Sequence, residues 1–352
     1  TVAAAALALG EARRGSGRNL LEAFLLGVEV ACRTSAALGP SSLYARGFHP
    51  TAVCGTFGAA AASAHALGLD RGGLAAALGL AFQQACGALA WVTDPTESSR
   101  PLSPALGARN GVSAALLAAA CLSGPPAPFD GKHSAFIAFS GEGSPGLLLD
   151  AWGERFYIDE ISHKLHASCS YSHAALDGLF ALRRRHPFAA EQVEGVAIRS
   201  VPAVRSLVTD PALRSCYLPY IVSVALARGQ VAIEDVAADR SAEPEIARLI
   251  SCVSLIDDPT FEGGYPERCG AAIEVRLSDG AVLRDTVEAA KGTPANPLSE
   301  AEIVAKFRAA ALSGLPSNAA DTIADQIGHL DALADIDQIA TILRYVSAQP
   351  GH

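Results

Sequence analysis

Groups able to move a proton or hold an anion fall in a few places along this sequence. His49 lies in the stretch from Tyr44 to Asp70, YARGFHPTAVCGTFGAAAASAHALGLD. Pro50 biases His49 away from the α region, which places it just before a helix rather than inside one. Ala59 to Ala64 then reads as a helix whose neighbours approach its backbone closely. A His at the mouth of such a helix can transfer a proton, and it can equally do no more than bond a nearby carbonyl. Lys164 lies in HKLHASCSYSH, beside His163, His166, Cys169 and His173; taken alone, it reads as a solvated lysine at a domain boundary. Arg100 and Ser103 occur in SSRPLSPALGARNG, with Arg109 on the following helix as either a surface cation or a substrate contact. Asp94, Glu97 and Asp258 read as solvated loop carboxylates without a partner. Cations suit a substrate with two or three carboxylates. Removing a proton next to a carboxylate needs a positioned base, and the enolate-like charge that develops needs those same cations.

The elements that must position these groups change character along the chain. Residues 2–38 read as two helices, Val2 to Leu9 and a second capped by Ser16 or Asn19, with Leu21, Phe24, Leu25, Val28 and Cys32 at helical spacing. Gly39-Pro40 ends the second. Further helices are expected over Leu74 to Ala90 and Ala105 to Leu122, separated by a polar loop from Thr93 to Pro104. Small-residue helices with short joints make an all-α domain. Near residue 156 the composition turns to β-branched and aromatic residues. A helix over HAALDGLFALRRRH precedes a strand from Val193 to Val201, and YLPYIVSVALARG reads as another helix. Ser278-Asp279-Gly280 joins two strands as a hairpin. Residues 160–290 therefore read as α+β with an antiparallel sheet. After Pro297, Ser299 and Glu302 form a capping box that opens a helical tail. The expected fold is mainly α with an α+β part: a large all-α domain (1–158), a smaller α+β lid domain (159–296) and a helical return (297–352).

Composition excludes several classes. Of 352 residues, half are hydrophobic and 18 % charged, with a net charge of −9. That suits a globular protein and argues against a nucleic-acid surface. No apolar run reaches the roughly 18–20 residues that span a bilayer, and the first residues lack the basic leader of a secretory signal. A cytoplasmic protein without membrane or nucleic-acid partners is expected. The eight cysteines include no C-x-x-C pair, so free thiols are expected and a metal site is not. No P-loop and no G-x-G-x-x-G opening a βαβ unit points to a nucleotide, and no organic cofactor is expected. Methionine is absent, which reads as a fragment of a longer chain or as methionine positions lost from it.

The sequence also resembles a known family. GFHPTAVCGTFGAAAASAHALGLD resembles the central motif of the MmgE/PrpD family, which includes 2-methylcitrate dehydratase, cis-aconitate decarboxylase and iminodisuccinate epimerase. GARNGVSAALLAAACLSGP, KLHASCSYSHAALDGL, YLPYIVSVALARGQV and KGTPANPLSEAEIVAKF continue it in family order over nearly the whole chain. The resemblance implies that Lys164 and Cys169, at the family's Cys-or-His position, line the active site. His173 matches a following family His and either joins them or is structural. His163 and His166 have no counterpart and are expected at the surface. Tyr220 aligns with a family active-site Tyr; its other reading is a core-edge aromatic with its hydroxyl at the surface. Arg100 and Ser103 stand where the family usually has Lys and His. Arg keeps the cation but cannot deprotonate, and Ser removes a titratable group. Related chains begin with a further helical segment carrying an acidic motif and a His-Pro-Gly, so part of the expected site precedes Thr1. The helical tail is expected to pack on the first domain, the cleft to lie between the domains with His49 and Lys164 facing each other, and the assembly to be a homodimer.

The expected function is a cofactor-independent lyase acting on a small di- or tricarboxylate, with dehydration of a 2-methylcitrate-like hydroxy acid first. His49, Lys164 and Tyr220 are the catalytic candidates; Arg100, Ser103, Cys169 and Arg109 are the substrate-binding ones. Decarboxylation of a cis-aconitate-like acid and epimerisation of an iminodisuccinate-like one are alternatives. A degenerate relative that binds without turnover belongs to a different class.

Overall fold

A computed structural model describes residues 1–94, 97–312 and 314–347. Pro95 and Thr96, within the loop expected over 93–104, lie outside the described residues, as does the C-terminal end. The chain is mainly α with an α+β part and divides into two units, 1–160 with 307–352, and 161–306.

The first unit opens with α1 (Val2–Arg13), α2 (Gly17–Leu38), α3 (Pro40–Ala45), α4 (Pro50–Ala66), α5 (Arg71–Gln84) and α6 (Leu102–Ala119). Ser16 caps α2 by accepting the Asn19 N–H at 3.2 Å. Asp70 caps α5 through the Gly73 N–H at 2.8 Å, which starts that helix at Arg71 rather than at Leu74. α5 also ends at Gln84, short of the expected Ala90, because residues 85–94 leave the helix to pair with the segment before α4. Nearly all of α4 is buried. A Cβ on Gly58 of α4 would fall 2.4 Å from the Gly27 carbonyl oxygen of α2, and one on Gly111 of α6 would fall 2.4 Å from the Ala59 Cβ. The small residues therefore let three helix backbones touch, with α4 in the middle. Phe57, Phe82, Phe129, Phe136 and Phe139 fill the wider gaps around it.

Arg33 is almost fully buried on α2. Its Nε pairs with Glu29 at 2.6 Å, its Nη1 and Nη2 donate to the Asp150 and Arg155 carbonyls at 2.5 and 3.0 Å, and its guanidinium lies over Trp152. Glu29 in turn accepts the Tyr157 N–H at 2.9 Å. One saturated buried ion pair thus ties the segment 150–157 onto α2.

In the second unit, α7 (His173–Arg185) leads to β1 (Val193–Ser200). Then come α8 (Pro202–Val208), α9 (Leu218–Arg228), α10 (Ile233–Ala237), α11 (Pro244–Cys252), β2 (Val253–Asp257), β3 (Ala271–Leu277) and β4 (Val282–Val287). The strand order is β2-β1-β3-β4. β1 with β3 and β3 with β4 are antiparallel, but β1 with β2 is parallel, so the sheet is mixed rather than antiparallel throughout. Four helices separate β1 from β2, and a crossover of that length is what a parallel pair requires. Leu176, Leu179 and Leu182 of α7 share one core with Val196 and Ile198 of β1 and Ile273 and Val275 of β3. The β3–β4 turn is closed by the Ala281 N–H donating to Asp279 at 2.9 Å.

The chain continues through α12 (Glu300–Ala311), α13 (Ser317–Gly328) and α14 (Asp337–Ser347). The Ser299–Glu302 capping box forms, with Ser299 N to Glu302 Oε2 at 2.8 Å and Glu302 N to Ser299 Oγ at 3.3 Å. Leu330, Ile336 and Ile339 pack with Leu7, Leu20 and Leu21 of the first helices. The helical tail is interrupted between α13 and α14, where the turn 329–336 carries the backbone bonds from Gly17 to Leu333 and from Ile336 to Gly15.

Candidate active site

His49 is the N-cap residue of α4, with extended backbone before Pro50. Its N–H donates to the Gly87 carbonyl at 2.8 Å, and the Leu89 N–H donates to the Gly47 carbonyl at 2.8 Å. This short pairing sets His49 beside the 3₁₀ turn Leu89–Thr93. Gly87 makes it possible: its φ is +143°, and a Cβ there would fall 2.4 Å from the Ala52 Cβ. The imidazole meets two side chains, and a third lies behind one of them. Nδ1 lies 3.0 Å from Ser103 Oγ, and the ring stands edge-on to Trp91 with centroids 5.5 Å apart. The Arg100 guanidinium covers the same Trp91 ring at 4.8 Å. Half-buried, and with Arg100 nearby, His49 is held below the ordinary imidazole value, first by desolvation and then by the like charge. It is therefore neutral near pH 7 and able to accept a proton.

Arg100 also pairs with Glu97 at 2.8 Å, and the Glu97 side chain is only 13 % exposed. Asp94 accepts from Ser98 Oγ, Ser99 N and Ser99 Oγ, and Asp258 accepts from Thr260. The expectation of three solvated carboxylates without partners is thus corrected; each is spent on a turn or an ion pair within a few residues. Arg109 is exposed and donates to Asn110 Oδ1 at 3.2 and 3.0 Å, while Asn110 donates to the Gln84 carbonyl at 2.8 Å. The first unit therefore brings together His49, Ser103 and Arg100, and adds Trp91, whose buried Nε1 has no hydrogen-bond partner among the described residues.

Lys164 is exposed on the segment leading to α7. That segment is fixed by backbone bonds. The His163 N–H donates to Gly292 at 2.8 Å, and Lys306 Nζ donates to the Lys164 carbonyl. Lys164, Tyr171, His173, Glu267, Cys269 and Lys291 are among the residues lining a cavity of about 150 Å³. His173 is 3 % exposed, and its Nε2 has no hydrogen-bond partner among the described residues. Burial pushes its imidazole down to about 4, helped by His166 and opposed by Asp177. His166 is not the surface residue expected: its side chain is 12 % exposed, Nε2 lies 3.3 Å from Asp177 Oδ1, and its ring packs against His173. Asp177 Oδ2 also accepts the Lys291 N–H at 2.6 Å, which joins α7 to the turn that carries Lys291.

Cys169 begins the short turn before α7, and its N–H donates to the Ser215 carbonyl at 2.8 Å. Tyr220 stands apart from the lysine cavity. It is 1 % exposed, and its hydroxyl donates to the Asp235 and Ala238 carbonyls at 2.5 and 3.3 Å. Neither its hydroxyl nor its ring reaches the surface expected for a core-edge aromatic; the group serves to tie α9 to α10. Among the described residues, no group of three or more His, Cys, Asp or Glu is arranged to hold a metal ion, and no helix is long and apolar enough to cross a membrane.

Sequence reasoning missed Trp91, Asn110, Asp177 and Lys291. The last lies in KGTPANPLS, a block already conspicuous in the sequence; Trp91 could have been suspected as one of only two tryptophans. Asp177 sits in a helix that reads as purely structural.

The chain is similar to known proteins along most of its length. Residues 1–147 match the MmgE/PrpD N-terminal domain and residues 166–332 match the MmgE/PrpD C-terminal domain. The chain is 28 % identical to the cis-aconitate decarboxylase-like protein oryM of Aspergillus oryzae, over 93 % of this chain and 71 % of that protein. It is 26 % identical to the cis-aconitate decarboxylase of Homo sapiens, over 97 % of this chain and 72 % of the relative. The Mus musculus enzyme gives 26 % over 97 % and 71 %. With both family domains matched in order over most of its length, this chain belongs to the MmgE/PrpD family.

Proposed function

We propose that this protein is a lyase acting on a small di- or tricarboxylate, with proton abstraction by His49 as its first chemical step. The observation that carries this reading is the state of His49: half-buried, neutral, fixed through Nδ1 to Ser103 and close to a guanidinium. In dehydration of a 2-methylcitrate-like hydroxy acid, His49 takes the proton on the carbon next to a carboxylate. The electron pair left behind forms the carbon–carbon double bond, and the departing hydroxide becomes water by taking up the proton that His49 had accepted. A neutral imidazole suits that task, and Arg100 suits the developing negative charge. Lys164 is assigned a carboxylate-holding role, supported by its place beside Lys291 on a cavity. The family's Lys at position 100 is Arg here, so that cation holds charge but passes no proton.

A second reading has its own support. The curated relatives described above are named cis-aconitate decarboxylases or decarboxylase-like, which favours loss of carbon dioxide from a cis-aconitate-like tricarboxylate. The test is a panel of citrate-like hydroxy acids and cis-aconitate-like alkenes incubated with the protein in deuterated buffer. New alkene absorbance without carbon dioxide is the expected result. Carbon dioxide release selects the second reading, and deuterium uptake alone selects epimerisation. A ligand-induced rise in melting temperature with no product would overturn the enzymatic proposal in favour of a binding protein. A homodimer and a cytoplasmic location belong to the same proposal; light scattering and fractionation check them.

A further inference from the structure

In the second unit, two cysteines that the sequence keeps far apart come together. The Cys169 N–H donates to the Ser215 carbonyl at 2.8 Å, which sets the Cys169 backbone beside the residue preceding Cys216. The two thiols share a hydrogen bond. Ser215 Oγ lies 3.7 Å from Cys216 Sγ and completes a small polar patch. Both cysteines are partly exposed, unlike the buried Cys54 on α4. We propose that Cys169 and Cys216 are a modification site: a dithiol that closes to a reversible disulfide when exposed to a low-molecular-weight disulfide such as glutathione disulfide.

The geometry favours an intramolecular bond. Two thiols in hydrogen-bond contact, on backbones already joined by a hydrogen bond, start near the separation a disulfide requires. The chemistry balances in two exchanges. One thiol loses its proton, and its thiolate attacks a sulfur of glutathione disulfide. That sulfur–sulfur bond breaks, and the first glutathione leaves as a thiolate. The second cysteine then loses its proton and attacks the protein sulfur of the mixed disulfide, and the second glutathione leaves. Two protein thiols give up two protons and two electrons, and the oxidant takes them up. The hydrogen bond to Cys216, and then burial, hold the Cys169 thiol well above the ordinary thiol range, so the exchange is slow at neutral pH and accelerates as pH rises. The bond would pin the segment carrying Lys164 and Cys169 to the start of α9.

The inference predicts a covalent bond, not an activity, so it stands apart from the polycarboxylate reading. The test is to incubate the native protein with glutathione disulfide, alkylate the remaining thiols, digest without reductant and map the peptides by mass spectrometry. The expected product is the Cys169 peptide joined to the Cys216 peptide, lighter than their sum by two hydrogens and separated again by dithiothreitol. Cys216→Ser should leave Cys169 as a glutathione mixed disulfide with no cross-link. Two outcomes on the wild-type protein alone would overturn the proposal: both cysteines alkylated while exposed Cys86 and Cys121 are oxidised, or a cross-link joining Cys169 to Cys269 instead.

Discussion

In the first unit, an imidazole is fixed at the mouth of a packed helix; in the second, two lysines on loops and a buried His opening α7 stand around a cavity. His49 caps a helix packed backbone to backbone: Gly87 and Gly107 leave no room for a Cβ against Ala52 in its first turn, and Gly27, Gly58 and Gly111 do the same further along. Lys164 depends on isolated ties instead: Gly292 to His163, Lys306 to the Lys164 carbonyl, and Asp177 to the Lys291 N–H. The contrast matches the demands of the two tasks. A base must hold its angle to a carbon–hydrogen bond, whereas a point-charge ammonium on a flexible stem tolerates a looser support.

The largest effect that separates the two is on turnover. His49→Ala should lower kcat by about 10²–10⁴-fold with little change in KM or melting temperature, the usual loss for a proton-transfer group. Lys164→Ala should raise KM and lower kcat together, since it removes a charge-assisted contact in ground and transition states alike. Steady-state kinetics on both variants settle the matter. A His49→Ala protein that is unstable but turns over normally per folded molecule would make His49 a helix-entry residue and nothing more.

The buried His173 gives the second unit an acid sensitivity. The unfolded chain protonates it near the ordinary 6.5, while the folded state resists protonation down to about 4. Stability is therefore whole above 6.5 and is lost as pH falls through 4, by about 3 kcal/mol from this group alone. Urea titrations across that window should show the loss, and His173→Gln should flatten it. An unchanged slope in the variant would assign the acid sensitivity to other groups.

Packing and turn glycines should differ in the same way. Gly58→Ala pushes a methyl against the Gly27 carbonyl oxygen, and a cost of about 2 kcal/mol is expected from overpacking. Gly280→Ala meets open space and pays only for its φ of +87°, about 1 kcal/mol. Equal losses by thermal melts would mean that α2 and α4 part easily. A comparably small effect is expected for Ser103→Ala, which frees Nδ1 of His49. Loss of one neutral hydrogen bond is worth about 1 kcal/mol, or roughly fivefold in kcat/KM. The acid limb of the pH profile should move with it, and Ser103→Thr should restore both.

Much of the framework was legible because its signals are local. Ser16, Asp70 and the Ser299–Glu302 box act within one helical turn. The hairpin around Asp279-Gly280 is decided by four residues. β2 was not legible: five residues with a mixed burial pattern become a strand only because β1 offers an edge to pair with. The end of α5 is hidden for a related reason, since residues 85–94 keep a helical composition but Gly87 is drawn into pairing with His49.

By itself, the sequence determined which groups are available: a His before a proline-started helix, cations in an acidic chain, small residues where helices must touch, and the family to which the chain belongs. Tertiary structure alone decided their state. Tyr220 has the same residue type either way, but its hydroxyl is bound to two carbonyls contributed by α10 and its end. His166 faces Asp177 rather than solvent because α7 folds back over its own entry. His49 is held below the ordinary imidazole value because burial and Arg100 act on it together. A side chain's protonation and reach depend on what lies within a few ångströms in space, and residue spacing along the chain does not encode that when the neighbours come from other elements.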